Sequence, residues 1–174
     1  MWTLLCALAW AEVVDRVVVV VDETPVLQSE VRLEELLERV DASPVPFWTG
    51  VGAAPIDRLV DATIIRAVAS DVALYQPTRE QVAARLDAVR AAFLDAGDWV
   101  AFLTANGLDE ARLSAILRRR MVVEKFLLRT LQASPQDREA WLAQCEALLA
   151  QLRPPVGRVR IRYVTPEEIA PEEG

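Results

Sequence analysis

The 174-residue chain carries 19 basic and 26 acidic residues, which gives a formal charge of −7, and it contains no histidine. This length supports a single domain with a substantial core, and the acidic balance argues against a nucleic-acid surface that covers the whole protein. Without histidine, histidine-dependent triads and histidine metal sites are excluded. Cys6 and Cys145 are the two cysteines, too few for a cysteine-based structural zinc site.

Residues 1–11, MWTLLCALAWA, resemble a short secretory signal. The apolar stretch ends in Ala9-Trp10-Ala11, which fits cleavage between small residues, before Glu12. The stretch is shorter than the roughly 20 residues of a membrane span. We therefore expect export to the periplasm by this signal and no membrane span. The alternative is an extra strand or helix packed on the domain.

Residues 15–40 predict a strand, a tight turn, a short strand and a helix. Five consecutive valines, 17–21, favour a strand, and Asp22-Glu23-Thr24-Pro25 supplies the turn. Val26 and Leu27 allow a brief return strand. Ser29 is the expected N-cap of a helix, whose apolar face is formed by Leu33, Leu36, Leu37 and Val40.

Residues 41–55 predict an irregular connection, because they hold three prolines and two glycines. A helix over residues 56–75 follows. Thr78 and Gln81 then form the capping box of the next helix, which Gly97 closes. Asp98 is expected to cap a short helix that ends at Asn106-Gly107.

The longest helix is predicted from Asp109 to about residue 131, and Ser134-Pro135 is expected to begin the last one. Its apolar face includes Trp141 and Cys145. Residues 158–164 alternate apolar and arginine side chains, which is typical of a half-buried strand. The predicted fold class is mainly α: a multi-helix bundle with a small β-sheet formed by the N-terminal strands and the C-terminal strand. Residues 165–174 form an acidic tail.

The segment VVDRVVVVVDETPVLQSEV, residues 13–31, resembles the start of the N-terminal domain of SurA-type periplasmic chaperones. The resemblance extends to about residue 152. TREQVAARLDAVRAAF and LDEARLSAILRRRMVVEKFL look like the paired helices of that domain, and SPQDREAWLAQ looks like the helix that leads toward the isomerase domain of full-length relatives. At the C-terminus, RVRIRYVTPEE resembles only the first strand of a parvulin-type prolyl isomerase.

The resemblance implies a chaperone domain over residues 12–164 without the isomerase. Such a protein would hold unfolded outer-membrane or secreted polypeptides through apolar surface, without ATP or cofactor. Parvulin pockets commonly use histidine, so we expect no prolyl isomerase activity. Two alternatives stay open: a non-catalytic module that docks to one partner, and the chaperone part of an isomerase whose catalytic domain is absent.

Four aromatic residues are the candidate contacts for an apolar polypeptide. Phe47 and Trp48 lie in the irregular connection, and tryptophan is enriched at binding hot spots. Trp99 and Phe102 on the short helix could line a groove with them. The alternative for both pairs is packing in the core.

Other polar groups receive structural interpretations. The pairs Glu34-Glu35 and Glu167-Glu168 are predicted to be solvated, since neither has a second group suited to acid–base catalysis. Arg118-Arg119-Arg120 is predicted to form a solvated face, not a nucleic-acid site. Cys145 is predicted to be a buried, inert thiol. No catalytic, metal-binding or cofactor-binding residue is predicted.

Overall fold

The computed structural model describes residues 15–49, 53–153 and 160–164. Within them the predicted fold class is confirmed: the chain is mainly helical, with a small three-stranded antiparallel sheet. The predicted signal peptide, residues 1–11, and the predicted tail, residues 165–174, lie outside the described residues. In the described part of the chain, no helix combines the length and apolarity needed to cross a membrane.

The valine run forms the central strand of the sheet. Strand β1 is Val17–Val21, β2 is Thr24–Leu27 and β3 is Ile161–Tyr163, in the order β2-β1-β3. Val20 lies opposite Pro25 on one side and Arg162 on the other. The prediction that both ends of the described chain meet in one sheet is therefore confirmed, with β3 starting at Ile161.

One face of the sheet is buried against the second helix. Val19 and Val21 are buried, and they pack with Val60 and Ile64. Side chains alternate across a strand, so every second valine points to the same side. The β-branched run thus supplies both the backbone preference for a strand and the apolar face that holds it in place.

Six α-helices lie between β2 and β3 in the described part of the chain. The three N-terminal ones are α1, Gln28–Val40, α2, Pro55–Ala69, and α3, Arg79–Arg90. The other three are α4, Ala96–Ala105, α5, Glu110–Thr130, and α6, Arg138–Leu152. Single 3₁₀ turns occupy Pro46–Trp48 and Ala73–Tyr75, so the connection predicted to be irregular contains one short regular element.

Helix α5 joins two of the three apolar clusters of the core. Its first half contributes Leu113 and Leu117 to a cluster with α1, α3 and α4. Its second half contributes Val123 to a cluster around the completely buried Trp141 of α6. This double contact explains why the second half is apolar on most sides, as a helix covered from several directions must be.

Two predicted helix starts are confirmed. The backbone N–H of Gln81 donates to Thr78 Oγ1 at 3.3 Å, and the Thr78 N–H donates to Gln81 Oε1 at 3.0 Å. The Arg112 N–H donates to Asp109 Oδ1 at 2.7 Å. Gly107 adopts a φ of 60° after α4, the left-handed conformation expected of a glycine terminator.

Three other predicted helix starts are wrong. Helix α1 begins one residue before Ser29, whose hydroxyl donates to Asp15. Helix α4 is capped by Asp95 and not by Asp98, because the Asp98 N–H donates to Asp95 Oδ1 at 2.9 Å. Helix α6 is capped by Asp137 and not by Ser134. In each case an acidic side chain near the helix start takes part, and a carboxylate is favoured there by the helix dipole.

The second helix is shorter than predicted. It ends at Ala69, and the segment up to Tyr75 turns through a 3₁₀ element instead. The ring of Tyr75 packs edge-on against Phe126 of α5, with 5.3 Å between ring centroids. Val72 and Leu74 are left exposed by this turn.

Candidate functional site

The two candidate aromatic residues of the first connection are buried. Phe47 and Trp48 lie in the 3₁₀ turn, are 7% and 2% exposed, and meet edge-on at 4.6 Å between ring centroids. Both belong to the cluster around Trp141. Phe47 and Trp48 therefore pack in the core, which is the alternative to their predicted role as contacts.

The other two candidates lie in a different cluster. Trp99 is buried, and its Nε1 donates to Glu110 Oε1 at 3.0 Å. Phe102 is half-buried and packs against Phe93, with 4.9 Å between ring centroids. The structure does not bring the two pairs of aromatic residues into one cluster. Of the four, Trp48 is the one that lines a cleft between β2, α1, α2 and α5.

A row of charged side chains that alternate in sign and are mostly buried meets this cleft at Glu34 and Arg120. Hydrogen bonds and ion pairs connect them in the order Glu38, Arg58, Glu34, Arg120, Asp41, Arg85, Glu124, ending at the hydroxyl of Ser43. We call this set the buried ion network. It links α1, α2, α3 and α5.

This network corrects two sequence predictions. Glu34 is 3% exposed and Arg120 is 4% exposed, so neither belongs to a solvated face. The physical reason is their helical phase, because Glu34 lies next to Leu33 and three positions before Leu37, and Arg120 lies three positions after Leu117. Glu35, Arg118 and Arg119 are exposed, as predicted.

At one end of the network, Arg58 connects α2 to α1. Its Nη2 donates to Glu38 Oε2 at 2.6 Å, its Nε contacts Glu34 Oε1 at 3.4 Å, and its Nη1 donates to the carbonyl of Ala53 at 2.8 Å. All three nitrogen atoms of this buried guanidinium group thus have acceptors, as a buried charge requires.

In the middle of the network, Arg120 has one nitrogen atom left over. Its Nε donates to Asp41 Oδ2 at 2.9 Å, and its Nη1 donates to Glu34. Its Nη2 is buried and has no hydrogen-bond partner among the described residues. The guanidinium plane lies over the ring of Trp48, 4.0 Å from the centroid, which is a favourable cation–π distance.

At the other end, Arg85 joins α3 to the network. It donates to Asp41, and its Nη2 donates to Glu124 Oε1 at 2.8 Å. The Ser43 hydroxyl donates to the same Glu124 oxygen at 2.7 Å. Glu124 therefore receives two donors that come from outside its own helix.

The network holds four carboxylates against three guanidinium groups, so its formal charge is −1. Burial raises the pKa of Glu34, and the positive charges of Arg120 and Arg58 offset part of that rise. Burial raises the pKa of Glu124 in the same way, against the opposing charge of Arg85. Both shifts follow from moving carboxylates out of water.

The cleft has a volume of about 200 Å³ and is bordered by β2, α1, α2 and α5. It shares Glu34 and Arg120 with the network. It lies where the three apolar clusters meet, since its lining includes residues from each of them. Five aliphatic side chains form much of its wall: Leu33, Leu37, Leu59, Ile116 and Val123. The charged residues of the lining are Glu30, Glu34, Arg66, Arg119 and Arg120.

Three hydrogen-bond donors of this cleft lack acceptors. Among the described residues, the buried side-chain nitrogen atoms without a partner are Trp48 Nε1, Arg66 Nε, Arg120 Nη2 and Trp141 Nε1. The first three belong to residues that line the cleft. Buried polar groups in proteins almost always have a partner, which can be protein, water or ligand. Three such donors on residues of one cavity therefore indicate a place where acceptor atoms can bind.

The rim of the cleft carries positive charge. Burial lowers the pKa of Arg66, and the nearby charge of Arg119 lowers it further. The Arg66 Nη2 donates to Thr63 Oγ1 at 2.8 Å, which orients the group. Glu30 offers some compensation, but its carboxylate accepts a bond from the Leu27 N–H at 3.0 Å.

Sequence reasoning did not predict Arg66, Arg119 and Arg120 as parts of a cleft. A local signal existed for Arg120 and Glu124, which occupy positions on the α5 stripe between Leu117 and Leu127. For Arg66 there was no signal, because its environment depends on a helix more than 50 residues away in the sequence.

The one thiol in the described residues is buried, as predicted. Cys145 is free and buried, and burial raises the pKa of its thiol to about 12. It therefore stays protonated near neutral pH, and the thiol form is a poor nucleophile. No cluster of three or more metal-ligating side chains occurs in the described part of the chain.

No protein-family model, curated protein or solved structure matches this chain.

Proposed function

We propose that the protein is an ATP-independent, chaperone-like factor of the periplasm that binds unfolded or partly folded outer-membrane or secreted polypeptides. The binding surface of this proposal is the apolar cleft between β2, α1, α2 and α5. The observation that carries it is the combination of aliphatic walls with buried N–H donors that have no acceptor in the part of the chain that the structure describes. An extended polypeptide offers both complements, apolar side chains and carbonyl oxygens.

The volume of the cleft favours a segment of another polypeptide as its ligand over a cofactor. Its volume of about 200 Å³ is below the roughly 300–1,000 Å³ of typical small-molecule pockets. It suits one apolar side chain at a time, with the remainder of the ligand outside. Binding of that kind is modest in affinity and tolerant of sequence, which is what a general folding factor requires.

The neighbouring sheet edge adds a second element. Strand β2 is at the edge of the described sheet, and Thr24, Pro25 and Val26 line the cleft. Extended peptides commonly bind beside an exposed strand edge. Pro25 lacks an N–H, which limits continuous strand addition, so we assign the cleft the main contribution and the edge a supporting one.

The test is an aggregation assay with a denatured outer-membrane barrel protein. We expect near-stoichiometric amounts of this protein to suppress its aggregation. The variant Ile116→Trp fills the cleft from a half-buried wall position and should lose most of the suppression. The matched control Leu94→Trp adds the same ring at a position that is 97% exposed and outside the cleft lining, and should behave as wild type.

Two results would count against the proposal. Wild-type protein with an intact circular dichroism spectrum that fails to suppress aggregation in excess would remove the chaperone activity. Equal suppression by both tryptophan variants would move the binding surface away from the cleft.

A second candidate is docking to a single partner through the other sheet edge. Strand β3 is the opposite edge of the described sheet, and Tyr163 on it is 54% exposed. Strand addition at this edge would produce one tight complex and no general affinity for unfolded chains. A pull-down that recovers one stoichiometric partner, lost in Arg162→Pro, together with no aggregation suppression would favour this candidate.

A further inference from the structure

We infer that the cleft recognises a carboxylate, and specifically the C-terminal carboxylate of a polypeptide whose last side chain is apolar. This inference rests on the proposed function and names the part of the polypeptide that the cleft would select. It depends on the juxtaposition of unpartnered donors, positive charge and aliphatic wall at one cavity.

Three residues that line the cleft carry nitrogen donors without acceptors among the described residues. Arg120 and Trp48 are at least nine-tenths buried, both line the cleft, and each has one nitrogen donor without an acceptor in the described part of the chain. The Nε of Arg66 makes a third. All three atoms are donors, so a ligand that satisfies them must bring acceptor atoms. Anionic acceptors give the strongest hydrogen bonds with guanidinium groups.

The charge of the lining agrees with an anion. Three guanidinium groups face two carboxylates, so the lining has a formal charge of +1 in a protein whose total is −7. Glu34 is already shared between Arg58 and Arg120, and Glu30 is engaged at the start of α1. The remaining positive charge therefore belongs to Arg66 and Arg119, of which the nearby charge of Glu30 compensates one.

The aliphatic wall distinguishes among anions. Inorganic phosphate would satisfy the donors but would leave Leu33, Leu37 and Ile116 without a contact. A polypeptide terminus carries a carboxylate and an apolar side chain on the same carbon atom, so it meets both requirements within a small volume. An internal Asp or Glu carries its carboxylate at the end of its own side chain, so in a cavity of about 200 Å³ it would meet the donors without an apolar side chain on the same carbon atom to cover the aliphatic wall.

The experiment uses the full-length chain and fluorescence anisotropy of labelled ten-residue peptides that end in phenylalanine. One peptide carries a free C-terminal carboxylate, and the other has a C-terminal amide and is otherwise identical. We expect the acid to bind about tenfold more tightly, as one charge-assisted hydrogen bond can provide. The preference should weaken with added salt.

Two variants connect the preference to named residues. Arg66→Met keeps an aliphatic stem but removes the charge, and Trp48→Phe keeps the ring but removes the N–H. Both should bind acid and amide with similar affinity. Arg118→Met is the matched control, because this exposed residue of α5 lies outside the cleft lining, and it should retain the tenfold preference.

Several outcomes would overturn the inference. Equal binding of acid and amide to wild type, together with normal aggregation suppression, would remove the carboxylate recognition and leave the proposed function intact. Binding of neither peptide, together with no suppression, would remove both. Displacement of the acid peptide by dodecanoate at lower concentration than by unlabelled peptide would assign the site to a lipid carboxylate instead.

Discussion

The guanidinium group of Arg120 lies 4.0 Å from the ring centroid of Trp48, and this contact joins the buried ion network to the cleft. Below the contact, Arg120 holds Asp41 and Glu34 together. Both residues also line the cleft, and each has a buried nitrogen donor with no partner among the described residues. The same two side chains therefore stabilise the core and define the chemistry of the cavity. A change at either position is expected to alter both the stability of the protein and the binding properties of the cavity.

We expect Arg120→Met to destabilise the protein by about 3–5 kcal/mol, because it leaves Glu34 and Asp41 as buried carboxylates with incomplete compensation. Urea denaturation, followed by far-UV circular dichroism, measures the effect. Arg118→Met, two positions earlier and exposed, is the control and should stay within about 0.5 kcal/mol of wild type. Equal stability of the two variants would mean that the network contributes no net stability.

The raised pKa of Glu124 makes a prediction about pH. Because burial raises the folded-state pKa above the ordinary value of 4.5, the folded protein holds this proton more tightly than the unfolded chain does. The corresponding stability is fully present below about 4.5 and is lost as the pH rises through the raised value. We expect the free energy of unfolding of wild type, relative to Glu124→Gln, to fall across that interval.

The comparison with Glu124→Gln isolates this carboxyl from other groups that titrate nearby. Glu110 contributes with the opposite sign, since its hydrogen bonds from Trp99 and Arg90 lower its pKa, but it titrates in both proteins and cancels. A difference curve that is flat, or that rises with pH, would contradict the prediction.

The thiol of Cys145 gives a probe of local opening. In a Cys6→Ser background we expect no reaction with a thiol-reactive disulfide dye at about pH 8 until urea unfolds the chain, because the thiol is buried and its pKa is raised to about 12. Ala101→Cys in the same background places a thiol at an exposed site on α4 and should react at once. Rapid reaction of Cys145 in the native protein would show that α6 detaches readily.

The elements and their pairing were largely predictable, because they depend on local patterns. The valine run indicates a strand through its β-branched side chains. The alternation around Ile161 has a period of 2 residues, and the apolar spacing of α5 has a period of 3.6. The caps were less predictable, since Asp95 and Asp98 are both good cap residues and the choice between them depends on how the preceding turn packs. Chemistry alone favours neither.

The candidate site was mostly unpredictable for a different reason. Glu34 and Arg120 are separated by 86 positions, so the sequence gives no indication that each is the partner of the other. Read alone, a charged residue is expected to be solvated. The helical phase of Glu34, Arg120 and Glu124 is compatible with burial, but it does not identify their ion-pair partners, which lie on other elements of the fold.

The turn between β1 and β2 supplies the last prediction. Asp22 has a φ of 53°, in the left-handed region, and its carboxylate Oδ1 accepts a hydrogen bond from the Arg160 N–H at 2.7 Å. Its own N–H donates to the Arg160 carbonyl at 2.7 Å. Asp22 therefore connects the hairpin turn to the start of β3, and it combines an uncommon backbone conformation with a specific acceptor.

Two substitutions at this position separate those roles. Asp22→Asn keeps an oxygen acceptor and tolerates positive φ, so we expect stability within about 0.5 kcal/mol of wild type. Asp22→Val loses the acceptor and adds a β-branched side chain in the left-handed region, which costs about 1–2 kcal/mol for the backbone alone. Hydrogen exchange of the β3 amides should accelerate in the valine variant only. If exchange is unchanged there, β3 is held by its pairing with β1 and does not depend on the turn.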